Sequence, residues 1–136
     1  MDLIEQLTRD EGSRVTPYQD TVGKTTIGVG RNLTDVGVSQ DEIDLMLRND
    51  IENAKTKLEA ALPWVTQLDE IRHAALVNMA FNMGIHGLLG FRDFLGKMKA
   101  GDWTAAAAAM LDSKWAEQVG PRAHRLSIQI AQGLWQ

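Results

Sequence analysis

Three side chains early in the 136-residue sequence could do acid–base chemistry: Glu11, Asp20 and Thr26. They fall within DEGSRVTPYQDTVGKTTIGVG, Asp10 to Gly30. Glu11 closes a short helical pattern. Asp20 sits in a polar turn beside Gln19 and Thr21, and Thr26 follows among small and β-branched residues. Two carboxyls in unlike surroundings suit a reaction in which one group holds a proton to give and the other stays ionised. A hydroxyl beside them can hold a water. The same three residues on a solvated surface would do no chemistry, and their spacing alone leaves both readings open.

The elements around them sharpen the choice. Leu3, Ile4, Leu7 and position 11 share one face of a helix, with Gly12 as its stop. Glu11 is thus expected to extend an apolar stripe and turn toward the core, where a shielded carboxyl holds its proton more readily. Residues 17–30 read as short strands joined by a hairpin turn at Thr21–Lys24. Thr26 is expected on one face with Gly28 and Gly30, where missing side chains let another group approach the backbone.

Residues 32–38 read as a loop. Ser39 and Glu42 form a capping-box pattern before a long helix with Ile43, Leu47, Ile51, Ala54, Leu58 and Leu62 on one face, closed by Pro63. Thr66 with Asp69 suggests the next cap, and Ile71 to Phe81 is apolar nearly all round, as a buried helix should be. Gly84, Gly87 and Gly90 suggest a pliable loop. A helix from Phe91 to Lys99 is expected to end near Gly101, with Asp102 capping another that contains the run Ala105 to Ala109. Gly120-Pro121 opens the last helix, with Ile128, Ala131 and Trp135 expected to pack inward.

The fold class expected is α+β and mostly helical: a small N-terminal lobe with a β-hairpin and a C-terminal helical bundle, with a cleft between them. One domain is expected over 1–136, made of a hairpin region 12–38, a linking helix 39–62, and a helical lobe 63–136 with helix 1–11 packed on it.

Composition removes several function classes. Fourteen basic against 18 acidic residues give a net charge of −4, and the basic residues form no dense stripe, which argues against nucleic acid as a partner. There is no cysteine, so neither disulfides nor thiolate chemistry enter. The charged opening MDLIEQLTRDEG has no apolar run suited to a signal peptide, and AALVNMAFNMG is too short to span a bilayer. No stable membrane association is expected, and action outside the cytoplasm would call for release by another protein. Glu70 and His73 lie three apart and His86 and His124 are scattered; this is surface or capping chemistry rather than a metal site. No cofactor is expected. Trp64, Trp103, Trp115 and Trp135 are expected to fill the bundle.

Cleavage of a glycosidic bond commonly uses a carboxylic acid and a carboxylate flanking the scissile bond. The pattern E-x8-D-x5-T, continued as T-I-G-V-G, resembles the phage-type lysozymes, or endolysins, of the T-even kind. The resemblance includes D-E-G at Asp10 to Gly12 and Y-x-D-T at Tyr18 to Thr21. It resumes at R-x-A-A-L-x-N-M-x-F-x-M-G from Arg72 to Gly84, G-F at Gly90-Phe91, Trp103, Trp115, and R-A-x-R at Arg122 to Arg125.

The resemblance implies hydrolysis of the β-1,4 bond between N-acetylmuramic acid and N-acetylglucosamine in peptidoglycan. Glu11 would be the general acid, while Asp20 and Thr26 handle the water or the glycosyl centre. An inverting mechanism, with carboxyls roughly 6.5–9.5 Å apart, is implied. Arg122 and Arg125 match arginines near the acid, where a guanidinium could orient a carboxylate, pair with Asp10, or form a structural ion pair at a helix start. Phe81 and Asn82 match a stretch that lines the substrate site, and Gly30 and Asn32 could contact sugar. The implied partner is the glycan strand, met by a monomer, with a separate holin-like protein opening the way from cytoplasm to periplasmic wall. A non-catalytic peptidoglycan-binding homologue and a lytic transglycosylase are the alternatives. Two departures stand out: Arg31, where a histidine is common, and a short segment from Asn32 to Ile43, which suggests a reduced N-terminal lobe.

Overall fold

The computed structural model describes residues 1–136. The fold is α+β, with seven α-helices and one antiparallel sheet of three short strands in the order β1-β2-β3. It divides into two compact units, Met1–Met46 and Leu47–Gln136.

The first unit begins with α1 (Leu3–Glu11), capped by Asp2, whose Oδ1 accepts from Glu5 N while Glu5 Oε2 accepts from Asp2 N, each at 2.8 Å. The strands follow: β1 (Arg14–Gln19), β2 (Thr25–Gly28) and β3 (Arg31–Asn32). Pro17, which cannot donate to a ladder, is accommodated on the edge strand β1. Tyr18, Thr26 and Asn32 form one row across the three strands. The turn Thr21–Lys24 lies where its sequence places it.

The apolar stripe of α1 does not behave as its periodicity suggests. Leu3 is 65% and Ile4 75% exposed, no residue of the helix is buried, and Glu11 is exposed as well. The expectation of a core-facing Glu11 is therefore corrected. The reason lies in this unit's composition: its strands expose nearly every β1 side chain and offer no apolar layer to cover a helix. Thr26 is the only buried residue among the first 46, at 4% exposure.

Helix α2 (Gln40–Ala61) begins in the first unit and ends in the second. Its opening is the capping box expected: Glu42 N donates to Ser39 Oγ at 3.2 Å and Ser39 N to Glu42 Oε1 at 2.9 Å. Of its expected apolar face only Leu58 is fully buried.

The second unit holds the apolar core. A short 3₁₀ turn (Pro63–Gln67) leads to α3 (Glu70–Leu89), α4 (Arg92–Ala100), α5 (Trp103–Leu111), α6 (Lys114–Val119) and α7 (Pro121–Gln132). Leu58, Leu76, Met79, Phe94, Met98, Met110 and Ile130 meet in its interior. Ala106 and Ala107 are buried where α5 packs on α7 and α4; small side chains allow that close approach. Asp69, not Thr66, caps α3: its carboxylate accepts from Arg72 N at 3.0 Å, while the Thr66 hydroxyl donates to Pro63 O. The glycine-rich stretch after Phe81 is helical too, interrupted only at Gly84, whose φ of 78° and ψ of 160° lie outside the helix.

On α7 the inward residues are Ala123, Leu126, Ser127, Gln129 and Ile130. Ile128 and Ala131 are exposed, and Trp135 is 62% exposed, which corrects the expectation for all three. Trp115 is buried and Trp64 and Trp103 pack against the core, so three of the four tryptophans do fill the bundle.

The end of α7 is fastened by Arg72 of α3. Its Nε donates to Ile130 O at 2.6 Å and its Nη2 to Ala131 O at 3.2 Å, while the guanidinium lies 4.3 Å from the Trp103 ring centre. Gly133 makes room for it: a Cβ at that position, where φ is +67°, would lie 2.9 Å from Arg72 Nη1.

Candidate active site

The first unit carries Glu11, Asp20, Thr26, Gly30 and Asn32 on elements of known register. Glu11 is the last residue of α1, and its carboxyl lies against Gly30. A Cβ added to Gly30 would come within 3.1 Å of Glu11 Oε2, and Gly30 has φ of +68°, a conformation costly for other residues. The group that approaches the glycine face is thus the candidate acid itself.

Asp20 opens the hairpin turn. Its Oδ1 accepts from Val22 N at 2.9 Å and Lys24 N at 2.8 Å, and its main chain exchanges bonds with Gly23 and Lys24. Both side-chain bonds fall on one oxygen, so Oδ2 is open. The turn therefore holds the carboxylate rigidly and leaves it one free acceptor. Asp20 has a structural task in addition to any chemical one, since removing the side chain strands two backbone donors.

The Thr26 hydroxyl donates to Lys24 O at 3.0 Å. Its hydrogen is committed, and its oxygen is left as an acceptor for a water's hydrogen. Opposite Thr26, the Asn32 side chain is engaged in a local turn: Nδ2 donates to Asp35 Oδ2 and Oδ1 accepts from Asp35 N, both at 3.0 Å.

Arg31 and Glu42 form a feature the sequence did not announce as a pair. Arg31 Nη1 donates to Glu42 Oε1 at 2.7 Å and to Gly37 O at 3.1 Å. The hydrogen bond from Arg31, with further bonds from the Ser39 backbone and hydroxyl, lowers the Glu42 carboxyl from the usual 4.5 to about 2. Ile27, Gly28, Val29, Val38, Leu45 and Met46 complete a cavity of about 410 Å³ around this pair.

In the second unit, Phe81 is 44% exposed and borders two cavities, one of about 570 Å³ with Asp50, Asn53, Lys57 and His86, the other of about 440 Å³ with Leu47, Ile51, Val77 and Trp135. An aromatic face open to a cavity is suited to stacking on a sugar ring. Asn82 Oδ1 accepts from Trp115 Nε1 at 2.8 Å, which orients the amide and leaves its N–H₂ free to donate. Arg122 donates through Nε and Nη2 to Asn78 Oδ1, at 3.1 and 2.7 Å. Arg125 is exposed. Asp10 is paired with its neighbour Arg9 at 2.8 Å. His73 Nε2 meets Glu59 Oε1 at 3.1 Å, and no group of three or more potential metal ligands gathers anywhere.

Residues 8–131 match the family model described as phage lysozyme, a span that takes in every candidate site residue from Asp10 to Arg125. The chain belongs to the phage lysozyme family. It is a lysozyme-like member of the glycoside hydrolases. It is 30% identical over 161 aligned positions to the pre-baseplate central spike protein Gp5 of Enterobacteria phage T4, covering 98% of this chain but 28% of that protein's length. To probable T4-type lysozyme 1 of Dictyostelium discoideum it is 27% identical over 160 positions, covering 96% and 94% of the two chains. To an endolysin of Acyrthosiphon pisum secondary endosymbiont phage 1 it is 28% identical over 115 positions, covering 82% and 75%. The longer two alignments exceed the 136 residues of this phage-lysozyme chain, so it lacks residues those relatives carry within the matched span. No single helix is long and apolar enough to cross a membrane.

Proposed function

We propose that the chain is an endolysin-type muramidase that hydrolyses the β-1,4 bond between N-acetylmuramic acid and N-acetylglucosamine of peptidoglycan by an inverting mechanism. The observation that carries the reading is the Asp20 carboxylate, fixed by two backbone N–H groups on Oδ1 with Oδ2 open, on the same unit as a Glu11 carboxyl seated on Gly30. Glu11 gives its proton to the glycosidic oxygen as the bond to the anomeric carbon breaks. Asp20 takes a proton from a water, which Thr26 helps hold, as that water's oxygen bonds to the opposite face of the carbon. Glu11 is left ionised and Asp20 protonated, and exchange with solvent resets both.

Because Glu11 is exposed in the free protein, the glycan must supply the dehydration that an acid needs. Short glycan fragments should then lose kcat as well as affinity. Phe81, Asn82, Gly30 and Asn32 are proposed sugar contacts; Asn32 would act through its backbone or by releasing Asp35. Arg122 and Arg125 are proposed supporting residues. The protein acts as a monomer on the wall of its host, reaching the periplasm through a separate holin-like protein, with host lysis as the outcome.

The test is clearing of purified peptidoglycan by the wild type, Glu11→Gln and Asp20→Asn, with analysis of the fragments. Each substitution is expected to lower kcat by about 10²–10⁴-fold. Fresh reducing ends should carry the inverted anomer by proton NMR. Equal rates in Glu11→Gln would remove Glu11 from the mechanism. Anhydro ends would make the protein a lytic transglycosylase, and binding without clearing would make it a binding module.

A further inference from the structure

We propose that Arg31 and Glu42 are positioning residues for the reaction: their ion pair holds β3, and so keeps Gly30 against Glu11 and Asn32 opposite Thr26. The proposal rests on the reading of Glu11 and Thr26 given above.

Strand β3 is two residues long, Arg31 and Asn32, and such a strand has too few ladder bonds to hold its own register. Yet it carries two of the contacts on which the site depends. Gly30, directly before it, has φ of +68° and seats the Glu11 carboxyl so closely that an added Cβ would lie 3.1 Å from Oε2 and push it aside. Asn32 is the register partner of Thr26, and Ile27 that of Arg31.

Past Asn32 the chain is tied to β2 by Leu33 N donating to Thr25 O at 2.8 Å and Thr25 N donating to Thr34 Oγ1 at 3.0 Å, and the tie to α2 comes from the Arg31 side chain. One nitrogen, Nη1, reaches both the Gly37 carbonyl, 3.1 Å away, and Glu42 Oε1, 2.7 Å away. Glu42 belongs to the first turn of α2 and is itself held by Ser39 N on the same Oε1. A charge-assisted bond of this length ties the strand to a capped helix start, a more rigid anchor than a second loop would be. The rest of the surrounding cavity is apolar, so no other charged side chain there competes for either partner.

The labels for a test are built into the sequence. The single tyrosine, Tyr18, lies in the Tyr18–Thr26–Asn32 row, whereas all four tryptophans lie beyond residue 46. Protein carrying 3-fluorotyrosine gives one ¹⁹F line from the sheet, and tryptophan fluorescence follows unfolding of the helical unit alone. The variants are Arg31→Met, Glu42→Gln and the two combined, with Arg31→Lys as the conservative replacement.

The expected result has several parts. In Arg31→Met, kcat falls about ten- to hundredfold, the scale of a displaced reacting group, while KM changes by less than about twofold. Glu42→Gln falls in the same direction, and the double variant is no worse than the worse single, because both act through one pair. Arg31→Lys recovers part of kcat. The ¹⁹F line shifts or broadens in Arg31→Met, and the tryptophan-monitored midpoint stays put. A wild-type kcat with an unmoved ¹⁹F line in Arg31→Met overturns the proposal. So do losses that multiply in the double variant, or a change confined to KM. If the wild type clears no peptidoglycan, the muramidase reading fails; the ¹⁹F line still decides whether the pair holds the row, and an unmoved line ends that claim as well.

Discussion

The unit Leu47–Gln136 is held by what it hides, and the unit Met1–Met46 by what it ties. In Leu47–Gln136, large apolar side chains such as Phe94, Leu76, Met110 and Ile130 are wholly or almost wholly removed from water. In Met1–Met46, Thr26 alone is buried, and order comes from the Asp20 turn, the Ser39–Glu42 cap and the Arg31–Glu42 pair. A chain of about 40–60 residues has too little interior to stabilise itself by burial alone. The candidate acid Glu11 and the proposed partners Asp20 and Thr26 all sit in the unit with the thin interior. There, single polar contacts decide geometry, and losing one should disturb the site before it disturbs the protein.

That contrast breaks most visibly at Phe94. Phe94→Ala removes a ring from the packed interior and its edge-to-face contact with Phe91, at 6.3 Å between ring centres. It should cost about 3–5 kcal/mol, read from tryptophan-monitored denaturation. A loss below about 1 kcal/mol would mean that this interior is not what holds the unit.

A smaller effect is expected at Asp20. Asp20→Ala leaves the N–H groups of Val22 and Lys24 to water in place of their acceptor, at a cost of about 0.5–1.5 kcal/mol, confined to the sheet and seen at Tyr18. Asp20→Asn keeps an acceptor oxygen and should preserve the turn while losing the charge. Equal damage from both would show that charge, not the turn, stabilises this region.

The smallest effect is one of pH. Glu42 is lowered from 4.5 to about 2 by Arg31 and Ser39, so its contribution is complete above the usual carboxyl range. It is lost as pH falls from about 4.5 through about 2. The Tyr18 signal should loosen across that window, and Glu42→Gln should remove this part of the acid sensitivity. An unchanged acid profile in that variant would show that Glu42 does not set it.

How far the sequence could be read follows the same divide. The helices of the packed unit were legible because burial imposes a period: Asp102 before α5, Gly120-Pro121 before α7 and the apolar run in α3 all lie where the pattern places them. Helix α6 was not, being six residues long and too short to show a period. The inward face of α7 was misread because Leu126, Ile128 and Ile130 alternate, and only packing chooses among them. Gln129 is buried there because its amide donates to Ile71 O at 2.9 Å, a partner 58 positions away. In the other unit, the three candidate chemical residues could be found from their motif, whereas Arg31 and Glu42 looked like a departure and a cap. Their meeting depends on how the loop between them folds, and the sequence carries no period that announces it. The amphipathic pattern of α1 described the helix correctly and its exposure wrongly, since a stripe is buried only where an apolar surface exists to receive it.

Gly133 looks like an ideal place to attach a dye or a surface anchor, lying in a short tail just past the last helix. It is a poor one. A side chain introduced there would be strained by the φ of +67°, and its Cβ, 2.9 Å from Nη1, would make the Arg72 guanidinium shift from its place on the carbonyls of Ile130 and Ala131 and the Trp103 ring. A conjugate made at that position would report on a loosened helix pair rather than on the protein it was meant to label.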